Sequence, residues 1–219
     1  MDGPGRFPSS DQGSTAALNA GLAVAGVTAV AVGGPLVGLS PWWIAGAVGG
    51  GLALLSVDAA SFAGLGGHLL AEALPLGVGE ARLRRIAIHE AGHVLLAAEN
   101  NLPVKQVLVG SRACLRQGLR ANGSTELEPP AHAKLPLEDL RRWSRVLQAG
   151  MVAETLIYGG SRGGADDRAL LGRLWGLSGH AVATAQQEQR RARREVEQWL
   201  RQHRGRLEER AAALLQEAR

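Results

Sequence analysis

A chain of 219 residues is long enough for one ordinary domain and an appendage. A 46% hydrophobic share with only 4% aromatic residues is unusual for a soluble domain of this size, and one cysteine, Cys114, excludes an internal disulfide and fits a reducing compartment. The net charge of +4 is the only feature that would favour nucleic acid, and no motif joins it, so nucleic acid is not expected as a partner.

Residues 1–15, with Gly, Pro, Ser and Asp, read as a disordered tail. From residue 20 to residue 39 no side chain is charged and only Thr28 is polar, which is about the twenty residues a helix needs to cross a bilayer. A second apolar run opens at Pro41-Trp42-Trp43, is interrupted at Asp58 and resumes over residues 59–65. Together the runs predict a transmembrane helical hairpin over residues 16–66. Gly21, Ala25, Ala29 and Gly33 recur every four residues, a spacing that lets membrane helices approach closely. Trp42 and Trp43 mark one membrane interface, and Asp58 is expected as an interfacial residue where the second helix emerges at its other end. Arg6 precedes the hairpin and Arg82, Arg84 and Arg85 follow it, so both ends are expected on the cytoplasmic side. Residues 67–79 form a breaker-rich linker containing His68, Pro75 and Gly77.

A helix is predicted from about residue 80 to residue 100, closed by Asn100-Asn101 and Pro103. It carries His89-Glu90-Ala91-Gly92-His93. Residues four apart share a helix face, so both imidazoles can reach one metal ion, and Glu90 lies beside them to hold a water. Zinc is the default metal, because imidazole suits it and a catalytic zinc keeps three protein ligands and one open position. Water on zinc loses a proton near neutral pH and attacks a polarised carbonyl, so peptide hydrolysis is the expected use.

Residues 104–110 alternate as a strand, and residues 115–125, with Gly118 and Asn122-Gly123, predict one or two more, among which Cys114 is an ordinary half-buried position. An edge of this small sheet is a candidate to bind a substrate peptide in extended form. His132 falls in a Pro-bracketed loop and reads as solvated. After Leu137 a helix carries Leu140, Trp143, Val146, Leu147, Met151, Leu156 and Ile157 at helical spacing, with Glu154 the one acid in an apolar stretch. Glu154 is therefore a candidate third zinc ligand, or a group that orients a histidine from behind. Residues 181–219 form a helical region with Leu200, Leu207 and Leu214 every seven residues. Its basic start at Arg190, Arg191, Arg193 and Arg194 reads as a solvated face.

His-Glu-Ala-Gly-His followed by an apolar run resembles the zinc-peptidase domain of FtsH-type membrane proteases. The stretch Ala149-Gly150-Met151-Val152-Ala153-Glu154-Thr155-Leu156-Ile157-Tyr158-Gly159 is similar to that family's Gly-Gly-Arg-x-Ala-Glu-Glu-Leu-Ile-Phe-Gly helix. Gly163-Gly164-Ala165-Asp166-Asp167 is similar to its Gly-Ala-Ser-Asn-Asp loop. The resemblance implies Asp167 as the third zinc ligand in preference to Glu154, and a mostly helical zinc-peptidase domain with a small β-sheet over residues 80–219. It also implies protein or peptide substrates that are unfolded or membrane-associated, and a bacterial inner membrane or an organelle equivalent such as the thylakoid, with the peptidase on the cytoplasmic or stromal side. The family's ATPase module has no counterpart, since no Gly-x-x-x-x-Gly-Lys-Ser/Thr loop is present. The expectation is an ATP-independent zinc endopeptidase, either a homo-oligomer or a companion of a full-length FtsH-type protease. The alternatives are a non-catalytic or partner-dependent subunit of such a complex and an intramembrane protease, whose metal helix the three arginines before His89 would make costly to bury in lipid.

Overall fold

The computed structural model describes residues 27–62, 66, 69, 72, 78–130 and 132–218. The expected tail, the first residues of the first apolar run and His68 lie outside them. The chain divides into two compact units, Met1–Ser61 and Phe62–Arg219.

In the first unit the backbone is helical over 27–33, tightens into a 3-10 turn at Gly34–Val37, and re-enters a helix, α1, at Pro41–Phe62. Gly38 turns the chain at φ 82°, and Gly34 lies so close to Ile44 that an added Cβ would sit 2.5 Å from its Cδ1. The expected transmembrane hairpin is corrected here: among the described residues no helix is long and apolar enough to cross a membrane. In α1, Gly46, Gly49, Gly50 and Gly51 carry no apolar side chain and Ser56 and Asp58 are polar.

The second unit is mainly helical with a two-stranded sheet. Its elements are α2 (Val78–Glu99), β1 (Val104–Val109), α3 (Ser111–Arg116), β2 (Gly123–Leu127), α4 (Leu137–Tyr158), α5 (Ala165–Leu177), α6 (Val182–Gln202) and α7 (Arg204–Glu217). Residues 111–116 are helical rather than extended, so only 123–125 of the expected region at 115–125 pairs with β1, in a strand that runs on to Leu127. Cys114 is fully buried in α3, not half-buried in a strand. The pairing is antiparallel, with Val107 opposite Thr125 and Val109 opposite Gly123. The C-terminal region is two helices broken at His203, whose Nδ1 lies 2.8 Å from the carbonyl of Trp199.

Small residues decide how the two central helices meet. A Cβ on Gly92 of α2 would lie 2.7 Å from the carbonyl oxygen of Ala149 and 2.9 Å from Cβ of Ala153 on α4. That contact permits a backbone approach that no larger side chain would allow. Around the crossing, Ile88, Leu96, Val146 and Val152 form one core with Val196, Leu200, Leu207 and Leu214 of α6 and α7. The seven-residue leucine spacing therefore survives the break at His203, because both helices present the same side inward. A second core joins Leu140, Trp143 and Leu147 to Leu171, Leu174 and Trp175 of α5. Its buried polar atoms are paired: Trp175 Nε1 donates to Ser144 Oγ at 3.0 Å, and Ser144 donates to the Leu140 carbonyl at 2.6 Å. The two cores clamp α4 from both sides, which fixes the position of its middle turns against α2.

Candidate metal centre

The α2–α4 crossing buries both histidines, His89 at 8% exposure and His93 at 4%. One helical turn separates them on the same face, and their rings meet edge to face with centroids 4.8 Å apart. From the start of α5, Asp167 reaches the same point. Its Oδ2 lies 3.3 Å from His89 Nε2 and 3.4 Å from His93 Nε2. This is the one group of three metal-ligating side chains found among the described residues.

The separations bear on whether the three residues fit a metal. A charge-assisted hydrogen bond between imidazole and carboxylate would close to about 2.7–2.9 Å. Ligands about 2.0–2.1 Å from a tetrahedral zinc stand about 3.3 Å apart along each edge of the tetrahedron. The observed 3.3 and 3.4 Å are long for that hydrogen bond and close to the edge, and the three ligand atoms lie within 4.8 Å of one another.

The far side of each imidazole is held in turn. His89 Nδ1 lies 2.8 Å from Glu154 Oε1, and His93 Nδ1 lies 2.8 Å from the Val146 carbonyl oxygen. With Nδ1 donating in both rings, Nε2 is the nitrogen that faces Asp167, and it is the atom that would ligate a metal once deprotonated. Glu154 thus lies behind His89 and outside the three-residue cluster. Its carboxylate also accepts from Arg85 Nε at 2.5 Å and from the backbone N–H groups of Arg162 and Gly163 at 3.0 and 3.2 Å.

Electrostatics favour a cation at the cluster. Burial by itself lowers the basicity of His89, but hydrogen bonds to Asp167 and Glu154, with the charge of Glu90 nearby, push it up to about 10. Burial would raise the Asp167 carboxyl, yet its contacts with His89 and His93 hold it well below the usual carboxylate range. Glu154 behaves alike: burial opposes its charge, and His89, the Arg162 N–H and Arg85 bring it down to about 2. Three carboxylates around two imidazoles hold a proton where a metal ion would otherwise go.

Glu90 is 5% exposed, and Thr125 Oγ1 on β2 donates to its Oε2 at 2.7 Å. Burial pushes its carboxyl up, while His93, His89 and the Thr125 hydroxyl oppose the shift. β2 presses directly on this residue, since a Cβ on Gly123 would lie 2.5 Å from Glu90 Oε1. Asp166 is exposed at the start of α5, and His132 is exposed in its loop.

Several participants have no metal-ligand signature in the sequence. A Cβ on Gly150 would lie 2.4 Å from His89 Nε2 and 2.6 Å from His93 Nε2, so only glycine leaves room for the rings. Gly164, at φ 86°, starts α5 against Met151. Arg85 and Thr125 hold the two glutamates. A glycine in the middle of an amphipathic helix is the available clue to Gly150, because it costs helix stability and calls for a packing reason. The carbonyl of Val146 carries no side-chain signal at all. The chain matches no family profile and no curated protein, so the resemblance to FtsH-type peptidases rests on its motifs.

Proposed function

We propose that this protein is a zinc-dependent peptidase in which His89, His93 and Asp167 hold the metal and Glu90 is the general base. The observation that carries the reading is the convergence of two Nε2 atoms and one carboxylate oxygen at 3.3 and 3.4 Å, with a buried glutamate on the same helix. A bound zinc ion supplies Lewis acidity, polarising the scissile carbonyl and acidifying water.

The remaining chemistry belongs to the chain. Thr125 occupies Oε2 of Glu90, which leaves Oε1 to take a proton from the attacking water and pass it to the leaving amine nitrogen. Glu154 and the Val146 carbonyl keep both imidazoles in the ligating tautomer. β2 offers the substrate an extended main chain beside Glu90, because its outer edge has no strand partner among the described residues. Recognition through the main chain tolerates many side chains, which agrees with the unfolded or loosely held peptides that the FtsH-type resemblance implies.

The test is hydrolysis of an unfolded protein such as casein by the full chain, without ATP, comparing wild type with Glu90→Gln. Equal zinc in both with cleavage by wild type alone supports the reading. Equal zinc with no cleavage by either favours a partner-dependent or non-catalytic subunit, and wild type without zinc refutes the metal assignment.

A further inference from the structure

We propose that Arg85 is a positioning residue for the metal centre, acting through Glu154 and the 159–164 loop on two of the three ligands at once; this rests on the reading of His89, His93 and Asp167 as metal ligands. Arg85 lies one helical turn before His89, and its hydrogen bonds go to neither histidine nor Asp167. Its guanidinium instead makes two directed bonds: Nε to Glu154 Oε2 at 2.5 Å, and Nη2 to the carbonyl oxygen of Gly160. It also lies over the Tyr158 ring, 4.8 Å from the centroid.

Each bond reaches a different ligand. Glu154 is 2% exposed and has two partners on each oxygen: His89 Nδ1 and the Gly163 N–H on Oε1, and Arg85 and the Arg162 N–H on Oε2. Arg85 therefore fixes the rotation of the carboxylate that in turn fixes the ring of His89. Through Gly160 the same guanidinium ties down the loop that leaves α4 at Gly159, φ 75°, and enters α5 at Gly164, φ 86°. Asp167 follows within the first turn of α5. A planar guanidinium can address a carboxylate and a carbonyl at a fixed angle, which a lysine ammonium cannot. The glycines at both ends of the loop give it little stiffness of its own, so the bonds to Gly160, Arg162 and Gly163 hold it in place.

The experiment measures zinc dissociation constants by competition with a chromophoric chelator, on the full chain, for wild type, Arg85→Met, Arg85→Lys, Arg84→Met and Glu154→Gln. The double variant Arg85→Met/Glu154→Gln completes the set, and Co2+ absorption bands report ligand geometry. Arg85→Met is expected to weaken zinc binding by about 10- to 100-fold and to shift the Co2+ bands. Arg85→Lys falls between it and wild type. Arg84→Met removes the same charge from an exposed position of α2 and changes binding by less than about twofold. In the Glu154→Gln background Arg85→Met costs less than it does in wild type, because the route through Glu154 is already weakened and mainly the bond to Gly160 remains to be lost. Wild-type affinity in Arg85→Met overturns the proposal, and so does an undiminished effect in the Glu154→Gln background. Thermal melts accompany each variant. If Arg85→Met does not fold, Arg85→Lys carries the test, and its binding zinc as tightly as wild type is the overturning result. Wild type that fails to bind zinc refutes the metal reading itself, whereas tight wild-type binding with no response to Arg85 refutes this inference alone.

Discussion

Gly150→Ala separates the metal centre from the fold that carries it. An added Cβ would stand 2.4 Å from His89 Nε2 and 2.6 Å from His93 Nε2, against ordinary contact at about 3.4 Å, so the rings must retreat by about 1.0 and 0.8 Å. Metal–ligand distances tolerate about 0.2 Å, and zinc affinity is therefore expected to fall by at least about 100-fold. Folding stability responds differently. Alanine in a helix interior is worth about 1 kcal/mol over glycine, and overpacking costs about 1–3 kcal/mol, which leaves a net loss of about 0–2 kcal/mol. In a unit of this size each kcal/mol moves Tm by about 2–4 °C, so the melt of the metal-free protein drops by no more than about 8 °C. Gly172→Ala in the middle of α5, where an added Cβ meets nothing within 4 Å, is the control and should gain about 1 kcal/mol with zinc binding unchanged. Chelator competition and thermal melts on both variants are the assays. Gly150→Ala binding zinc as tightly as wild type would refute the geometry from which the ligand set is drawn.

Three further outcomes are expected. Thr125→Val removes the hydroxyl on Glu90 Oε2 and should lower kcat by about tenfold or more with zinc content unchanged, and Thr125→Ser should restore it; steady-state kinetics on zinc-loaded protein decide this. For the metal-free protein, Glu154 titrates at about 2 in the fold against 4.5 unfolded, so the stability it contributes is full above pH 4.5 and is lost as pH falls from 4.5 toward 2; urea melts across that window should show the loss, and Glu154→Gln should flatten it. His89, held up to about 10 by its carboxylate neighbours, is protonated at pH 7 without metal. Zinc binding should then release about one proton from it, measured by calorimetry in buffers of differing ionisation enthalpy, and no release would contradict the charge balance drawn here.

What could be read from the sequence follows from how local each signal is. Helix α2 spans Val78–Glu99, within two residues of the expected bounds, because its start, its motif and its Asn-Asn-Leu-Pro stop are all local. The buried face of α4 holds Leu140, Trp143, Val146, Leu147 and Met151 as their spacing predicts, while Leu156 and Ile157 are only half-buried toward its end. The apolar run before residue 66 misled, since absence of charge is not the same as apolar surface: much of α1 is glycine and alanine. Residues 115–125 misled in another way. Gly118 at φ 72° is a real break, but Gly123 opens β2 opposite Val109 instead of turning the chain, and the segment before Gly118 is a short helix that starts from Gly110. At the centre itself, His89, Glu90 and His93 announce themselves by spacing. Arg85, Thr125 and Gly150 matter only through contacts between residues 35 to 69 positions apart, or through a Cβ that is missing, and neither leaves a pattern in one sequence.

The central claim is tested most directly by X-ray absorption at the zinc edge on purified full-length protein, with Asp167→Ala beside wild type. The account predicts one zinc per chain, two imidazole nitrogens and carboxylate oxygen at about 2.0–2.2 Å, and loss of the carboxylate contribution in Asp167→Ala. A wild-type spectrum unchanged by Asp167→Ala, or one showing sulfur from Cys114 as a ligand, would contradict it.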